Sequence, residues 1–421
     1  MDNYQLKRHI LCIDLKNFYA SVECVLGGYD PFLTPLVVAD KQRDNGSIVL
    51  SVTPFLKNIG VSSRCRVYEL PTDMDIIYAK PKMHTYLEYS AKIIGIYLDF
   101  ISEDDLYVYS VDEAFLDVTS YLAYYKMSDV ALGKEILKRL KDTLGLYATC
   151  GAGPNMLMAK LAMDIDAKHS DGFVAKWEYE DLKSRLWPVK PLSKMWGIGY
   201  RMEHHLNVLG MHQIGDIANS NPQFLKDQFG ILGEELYYHT HGIDMSLVQD
   251  KDKIRKVRKS FGLGQVLFRD YSSDEIILII EEMVDEVTRR LRIAKKQTKC
   301  ISLQIGYAKE FGGGFSRQIS LVEPTSSVRE IYEICLRLFE MYDEGLPIRR
   351  VGIALSSLSN KTHYQYTIFK DADCLEREEK ILNAIDRIKT SYDKNSINRA
   401  SSELAHSTEK RRNESIGGHH V

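Results

Sequence analysis

The spacing of hydrophobic positions changes at Asp14. Residues 10–13 form an uninterrupted apolar run, which favours a strand that is buried on both faces. From Phe18 the apolar positions follow a helical period, which Gly27 and Gly28 end. The pattern therefore predicts a carboxylate at the point where a buried strand gives way to a helix. Taken alone, such a residue is either an exposed turn residue or a placed ligand or proton carrier.

The pattern after residue 82 predicts an order of elements that brings two further acids towards Asp14. Two short β-rich runs over residues 106–118 have Asp112 and Glu113 at their join, which predicts a hairpin with both acids at its tip. The other predicted elements are helices over 82–102, 130–144 and 155–167 and a strand over 146–152. The order β, α, β, β, α, β is typical of a ferredoxin-like sheet, in which the first strand can lie beside the central hairpin.

We therefore expect Asp14, Asp112 and Glu113 to meet at one edge of a sheet. Three carboxylates that converge without a built-in cation raise one another's pKa, and a hard divalent metal is an economical way to keep them ionised. For Asp112 and Glu113 alone, a solvated turn is an equally good interpretation. The combination of all three acids favours a metal site.

The second half of the chain contains features that fit nucleic acid. Residues 177–250 are predicted to be helical, and Gly197 and Gly199 stand between short helices, as in a helix-hairpin-helix whose backbone N–H groups approach a phosphate; an ordinary turn is the alternative. Six of the ten residues 250–259 are basic, which fits either a phosphate-contacting tether or a solvated linker. Residues 259–358 repeat the β-α-β-β-α-β order.

Composition narrows the class of protein. The 421 residues are 44% hydrophobic, enough for several cores, and the net charge of −3 argues against polyanion binding through overall charge while leaving local patches open. The seven cysteines form no C-x-x-C pair, so neither a disulfide framework nor a zinc site is predicted. No apolar run of membrane-spanning length is present, and we expect a soluble, cytoplasmic protein with no membrane contact.

Several motifs together resemble one family. The segments DLKNFYASVE, SVDEAFLD and GAGPNMLMAKLA, the G-I-G hairpin and the second α/β series occur in this order. The set resembles the Y family of translesion DNA polymerases, on its UmuC/DinB-like side and nearest to UvrX-type UV-damage repair proteins of Gram-positive bacteria and their phages. The resemblance covers about residues 8–358, and the ending from SINRASS also resembles the UvrX-type group.

The resemblance implies an α+β right-hand polymerase, a monomer, whose parts can be placed on the chain. These parts are a ferredoxin-like palm (1–17 and 84–175), small fingers (18–83), a helix-hairpin-helix thumb (176–249), a basic linker (250–258), an α/β little-finger domain (259–358) and a C-terminal tail (359–421).

The resemblance also implies a reaction. A Y-family polymerase transfers dNMP from a dNTP to the 3′-hydroxyl of a primer on template DNA, with low fidelity, in SOS-type damage tolerance. Asp14 and Asp112 would bridge two Mg²⁺ ions, for which Mn²⁺ could substitute, while Glu113 would hold the catalytic ion and the Leu15 carbonyl the nucleotide-bound one.

Further residues match binding positions of the family. The predicted nucleotide-binding residues are Asn17, Phe18, Tyr19, Lys57 and Lys168, with Tyr19 as the steric gate against a ribose 2′-hydroxyl, although a core aromatic is the alternative for Tyr19. The predicted DNA-binding residues are Gly197, Gly199, Lys256, Arg258, Arg349 and Arg350. The segment 365–369 resembles a binding motif for the β sliding clamp, through Gln365, Ile368 and Phe369. The chain departs from the family in the fingers, where Pro54 replaces a tyrosine and Lys57 an arginine, which loses bidentate phosphate geometry.

Two other functions remain open from the sequence. A nucleotide cyclase also uses a palm-like sheet with acids at strand ends, but it leaves the thumb hairpin and the second α/β series unexplained. A non-catalytic scaffold that binds damaged DNA or the clamp would follow if the three acids did not assemble.

Overall fold

A computed structural model describes residues 4–40, 46–251, 258–360, 372–416 and 419–420. The chain divides into two units, Met1–Lys256 and Val257–Val421. The predicted site residues Lys256, Gln365, Ile368 and Phe369 lie outside the described residues. No helix of the described segments is long and apolar enough to cross a membrane.

The first unit contains the predicted palm, fingers and thumb. Its strands and helices are, in chain order, β1 (Ile10–Leu15), α1 (Phe18–Gly27), β2 (Leu36–Val38), β3 (Ser51–Val52), α2 (Pro54–Asn58), β4 (Ile77–Ala79), α3 (Met83–Leu98), β5 (Leu106–Val108), β6 (Glu113–Asp117), α4 (Leu122–Tyr125), α5 (Asp129–Leu144), β7 (Ala148–Gly153), α6 (Met156–Leu161), β8 (Val174–Lys176), α7 (Tyr200–Val208), α8 (Ile214–Ala218), α9 (Pro222–Phe229) and α10 (Ile231–Thr240).

The palm sheet has the strand order β5-β6-β1-β7-β8, and β1 pairs antiparallel with both β6 and β7. The first strand therefore lies beside the central hairpin, as predicted. Leu11 and Ile13 are buried in the main hydrophobic core of the palm, on one face of the sheet. Ile10 and Cys12 are buried on the opposite face, where they pack with Phe115. Burial on both faces explains the unbroken apolar run of β1.

Asp14 lies where the buried strand gives way to a helix, as predicted. The strand extends one residue beyond it, to Leu15, and α1 begins at Phe18. The strand runs on because Asp14 is paired on both sides, with Glu113 of β6 and Thr149 of β7.

The fingers form a three-stranded sheet of order β3-β2-β4 beside α2. The sequence pattern does not predict β4, which pairs in parallel with β2 and has only partly buried side chains. The thumb helices surround a core that contains Trp177, Leu206 and Leu225. Gly197 has a left-handed φ of 95° just before α7 begins, a conformation that favours glycine.

The second unit repeats the α/β pattern. Its elements are β9 (Ser260–Tyr271), α11 (Ser273–Ile293), β10 (Lys296–Tyr307), β11 (Gly314–Thr325), α12 (Val328–Tyr342), β12 (Ile348–Asn360), α13 (Ala372–Ser391), α14 (Glu409–Asn413), β13 (Ser415–Ile416) and β14 (His419–His420). The main sheet has the order β11-β10-β12-β9. Ile280 and Val287 of α11 are buried with Ile301 and Ile353 of the sheet, which places the core between helices and sheet.

The segment 372–416 packs on α11, although its sequence has no apolar core of its own. Arg292 of α11 donates two hydrogen bonds of 2.9 Å to Asp386 of α13. Glu282 of α11 is 3% exposed and accepts hydrogen bonds from Thr408 and Arg412. Charged side chains that pair across an interface look like solvent-exposed residues in a sequence, so the hydrophobic pattern does not predict this docking.

Candidate active site

The three predicted acids share one edge of the palm sheet. Asp14 lies directly opposite Glu113 in the β1–β6 pair. The Leu15 backbone N–H donates a 2.9 Å hydrogen bond to the carbonyl of Asp112. The Asp112 side chain accepts a 2.6 Å hydrogen bond from the Ser110 hydroxyl. Backbone pairing thus brings together residues that are about a hundred positions apart in the sequence.

Two lysines neutralise these acids. Lys168 Nζ lies 3.0 Å from Asp14 Oδ2, and Lys160 Nζ lies 2.6 Å from Glu113 Oε1. Both ammonium groups also pair with Asp164, at 2.7 Å from Lys168 and 3.2 Å from Lys160. The expectation that the acids converge without a built-in cation is therefore wrong. The hydrophobic pattern did not predict these contacts of the lysines. It indicates which apolar residues are buried, but not where the charged end of a long side chain lies.

A local change of helix geometry lies between the two lysines. Lys160 is in α6, which continues as a π-helical turn over Ala162–Asp166 and a 3-10 turn over Ala167–His169. Asp164 is four residues from each lysine, so it can pair with both along this helix. Single π-helical turns are frequent at functional sites.

Burial and charge shift the pKa values of these groups. Burial raises the pKa of Asp14 from its ordinary 3.8 to about 6; Asp112 and Glu113 add to the rise, while Lys168 opposes it. Burial by itself lowers the pKa of Lys168, but Asp14 and Asp164 outweigh it and raise the pKa to about 12. Lys160 behaves in the same way, with Glu113 as the main carboxylate that raises its pKa.

The chemistry of the donor set fits a hard divalent cation, since Asp14, Asp112 and Glu113 supply carboxylate oxygens. Within the parts of the chain that the structure describes, however, no three His, Cys, Asp or Glu side chains are grouped closely enough to hold a metal ion. Asp14 and Glu113 point to Lys168 and Lys160 instead. Metal binding at this edge would therefore exchange ammonium partners for a cation.

Tyr19 is half-buried beside the acids. Its ring packs against that of Tyr86, with centroids 4.8 Å apart. Tyr86 is fully buried and donates a 2.9 Å hydrogen bond to Glu23. Burial raises the pKa of Tyr19, and the nearby Asp112 charge raises it further. Tyr19 is thus neither a surface residue nor a fully buried core aromatic.

The other predicted nucleotide-binding residues have different surroundings. Phe18 is 2% exposed in the palm core, so its side chain is shielded from a ligand. Asn17 has a left-handed φ of 49° and donates a 2.6 Å hydrogen bond to the Val52 carbonyl, which ties α1 to the fingers. Lys57 is exposed in the last turn of α2.

Comparison with known proteins identifies the family of the chain. The sequence model of the impB/mucB/samB family matches residues 13–164, and that of the C-terminal domain of the same family matches residues 258–368. The putative UV-damage repair protein UvrX of Bacillus subtilis (strain 168) is 38% identical over 98% of both chains. The chain belongs to the Y family of DNA polymerases.

Other relatives of this Y-family polymerase carry polymerase names. A DNA polymerase IV 2 of the same Bacillus subtilis strain is 33% identical over 98% of both chains. The solved structure of a Y-family DNA polymerase chimera covers 84% of this chain, and 99% of its own length is matched, with a TM-score of 0.65. Its 20% identity makes this a likeness of fold. Polymerases of the Y family depend on divalent metal, which agrees with the acids at the palm edge.

The predicted DNA-binding residues of the Y-family polymerase lie in both units. Gly197 and Gly199 are exposed, and a side-chain carbon at either position would meet no atom within 4 Å. Arg349 donates a 3.3 Å hydrogen bond to Asp270, Arg350 is exposed, and the Arg258 guanidinium lies over the Phe261 ring.

Two residues that contact the predicted site residues were not identified from the sequence. Asp164 could have been found from its four-residue spacing to both lysines of the predicted helix. Tyr86 is in the first turn of α3 and has no local signal for its contact with Tyr19.

Proposed function

We propose that the chain is an error-prone translesion DNA polymerase that extends a primer on damaged template DNA during damage tolerance. The observation that carries the proposal is the register of the palm sheet, which sets Asp14 opposite Glu113 and joins Leu15 to Asp112 by a backbone hydrogen bond. This edge of the sheet presents carboxylates that suit nucleotidyl transfer. Enzymes accelerate such phosphoryl-transfer reactions mainly by positioning the reactants and neutralising charge, with little covalent catalysis by the protein.

Asp14, Asp112, Glu113 and the Leu15 carbonyl would hold the divalent metal, which we propose to be Mg²⁺ with Mn²⁺ as a substitute. When bound, the metal supplies activation of the primer 3′-hydroxyl and stabilisation of the leaving pyrophosphate. Once the metal binds Asp14, the Lys168 ammonium would lose Asp14 as an anionic partner. The triphosphate of the incoming nucleotide would take its place. Lys57 would contact the same triphosphate from the fingers.

Tyr19 would exclude ribonucleotides by overlap with the 2′-hydroxyl. Its ring cannot easily retreat, because Tyr86 packs behind it at 4.8 Å and is itself held by Glu23. A rigid ring discriminates by steric exclusion, whereas a mobile one would accommodate the additional hydroxyl.

Each unit has residues that we propose to contact DNA. Gly197 and Gly199 leave backbone approachable at the thumb. On the second unit, the face of the main sheet away from the helices pairs Gly264 with Gly352 and Gly262 with Ala354. Such small side chains let a nucleic-acid backbone come close. The segment 365–369 would bind the β sliding clamp.

Primer extension tests the proposal directly. The purified chain should extend a primer with dNTPs and Mg²⁺, past an abasic or ultraviolet lesion as well as on an undamaged template. Asp112→Ala and Glu113→Ala should each abolish extension, whereas Asp142→Ala, which removes an exposed acid of α5, should not. Extension that survives in both active-site variants would refute the mechanism. DNA binding without extension by the unmodified chain would favour the scaffold function.

The clamp interaction has a separate test. Gln365→Ala combined with Phe369→Ala should abolish binding to a bacterial β clamp in a pull-down or surface plasmon resonance assay. Extension of a short primer without the clamp should be unaffected. Clamp binding of unchanged affinity in the double variant would remove this motif from the proposal.

A further inference from the structure

Trp196 belongs to the thumb but also packs against the palm. It directly precedes Gly197 of the G-I-G hairpin, and its partly buried side chain packs against the thumb core. The same side chain packs against the palm residues that surround Cys12 and Phe115, and its ring centroid lies 6.1 Å from that of Phe115. One residue thus joins the hydrophobic core of the thumb to a face of the palm sheet.

Tyr109 connects Trp196 to the turn that carries two of the acids. The rings of Trp196 and Tyr109 meet edge to face, with centroids 5.9 Å apart, which is a favourable arrangement for two aromatic rings. The Tyr109 backbone N–H donates a 3.0 Å hydrogen bond to the Glu113 carbonyl. Trp196 therefore lies against the turn between β5 and β6, which contains Asp112.

Both rings also flank the ammonium group of Lys160. Lys160 Nζ lies 5.8 Å from the centroid of the Tyr109 ring and 5.9 Å from that of Trp196, within the range of about 6 Å for cation–π attraction. The Lys160 side chain is 10% exposed, whereas that of Lys168 is 35% exposed. The two rings limit the positions that the Lys160 ammonium can occupy.

The ammonium group that these rings flank holds one oxygen of Glu113. Lys160 Nζ lies 2.6 Å from Glu113 Oε1, and Cys12 Sγ donates a 3.3 Å hydrogen bond to the same oxygen. Within the part of the chain that the structure describes, both hydrogen bonds to this carboxylate go to Oε1. In the proposed function, Lys160 would keep Oε1 while Oε2 receives the metal, so the exchange of partners at Glu113 would be partial.

We propose that Trp196 is a positioning residue for nucleotidyl transfer, which acts through Lys160 to hold the Glu113 carboxylate in its reactive orientation. The inference rests on the proposed polymerase function and adds a thumb residue to its active site. Trp196 would contact neither nucleotide nor metal, so its removal should lower kcat and change KM for the nucleotide little. Because a small displacement of a reacting group can lower a rate by about a hundredfold, we expect Trp196→Leu to lower kcat by about ten- to a hundredfold.

The competing explanation is that Trp196 only fills space between palm and thumb. Trp196→Phe keeps an aromatic ring beside Lys160 and should retain most of kcat, whereas Trp196→Leu fills space without a π face. Trp187→Leu is the matched control, because Lys183 Nζ lies over the Trp187 ring in the thumb, 5.6 Å from its centroid. This control should lower the urea midpoint and leave kcat at saturating primer–template unchanged.

The first experiment measures single dNTP insertion at saturating primer–template for the unmodified chain, Trp196→Leu, Lys160→Met and the double variant. If Trp196 acts through Lys160, Trp196→Leu should lower kcat in the unmodified chain and change it by less than about twofold in the Lys160→Met background. Losses that multiply in the double variant would overturn the proposal. Weaker primer–template binding by fluorescence anisotropy, together with an unchanged kcat in Trp196→Leu, would also overturn it.

The second experiment observes Lys160 by nuclear magnetic resonance in the full chain with isotope-labelled lysine, in chelator and without DNA. The two rings should shift its ε-methylene resonance, which the Lys160→Arg variant identifies by its loss. Trp196→Leu should remove most of this shift and Trp196→Phe only part, and Glu113→Gln should move the same resonance.

An unchanged Lys160 resonance in Trp196→Leu would overturn the proposal whatever the kinetic result. If the unmodified chain inserts no nucleotide, the polymerase function fails, whereas the spectrum still decides whether Trp196 holds Lys160 at Glu113.

Discussion

Asp14→Asn should stabilise the metal-free protein at neutral pH. The pKa of Asp14 is about 6 in the folded protein, against an ordinary 3.8, so the folded state holds the proton more tightly than the unfolded state. Wild-type stability should therefore fall as the pH rises from about 4 to about 6 and stay lower above that range. The difference corresponds to about 3 kcal/mol at ~1.36 kcal/mol per pKa unit. Because the side chain is 21% exposed, solvent reduces this, and we expect about 1–3 kcal/mol.

Urea unfolding followed by tryptophan fluorescence, with a chelator present, measures this difference. The asparagine variant should be more stable than wild type at about pH 7.5, and the two should converge as the pH approaches about 4. A divalent metal should reverse the order, because the variant lacks one of the three carboxylates and should bind the metal more weakly than wild type. An equal pH dependence of the two proteins in chelator would refute the reasoning.

Asp129 provides a control of opposite sign. Burial alone would raise its pKa, but hydrogen bonds with Lys176 and His9 lower it below the ordinary value. The charged form of Asp129 therefore stabilises the fold at neutral pH, and that contribution is lost as the pH falls into the acid range. Asp129→Asn should destabilise the protein at about pH 7.5 and progressively less at lower pH.

Three further predictions concern other parts of the molecule. Lys168→Met should tighten Mn²⁺ binding in the absence of nucleotide, because an ammonium no longer competes for Asp14; electron paramagnetic resonance measures this, and weaker binding would contradict the competition. Tyr86→Ala should lower the preference for dCTP over CTP in single insertions by removing the ring behind Tyr19, and undiminished preference would exclude Tyr86 as its support. Glu282→Gln should destabilise the second unit by about 1–3 kcal/mol and speed proteolysis of residues 372–416, whereas an unchanged urea midpoint would show that the buried pairs contribute nothing.

The parts of the fold that the sequence predicts are those decided by hydrophobic spacing. The run before Asp14 predicts a doubly buried strand, and β1 is buried on both faces because it is the central strand of the palm sheet. The β-α-β-β-α-β order then predicts the pairing of β1 with β6, and pairing alone places Asp14 opposite Glu113. Each of these steps follows from local pattern and from the geometry of sheets.

The sequence does not predict the contacts that are made by the charged ends of long polar side chains. Lys160 and Lys168 reach the acids from the two sides of a π-helical turn, and no hydrophobic period indicates such a turn. Segment 372–416 docks through charged pairs such as Arg292 with Asp386, which a sequence presents as surface residues. Hydrophobic spacing carries no information about partners of this kind.

The ion pairs of the site should affect both the stability of the fold and the binding of metal and nucleotide. Lys168 is shared between Asp14 and Asp164, so release from Asp14 leaves it attached to Asp164 at the palm edge. In the proposed function, a metal that replaces the ammonium at Asp14 would free the charge of Lys168, which would add to that of Lys57 and strengthen the attraction for a triphosphate. Metal and nucleotide should therefore bind with positive coupling, since each relieves an electrostatic cost that the other creates. A titration of nucleotide affinity against Mn²⁺ concentration should show this coupling, and Lys168→Met should reduce it.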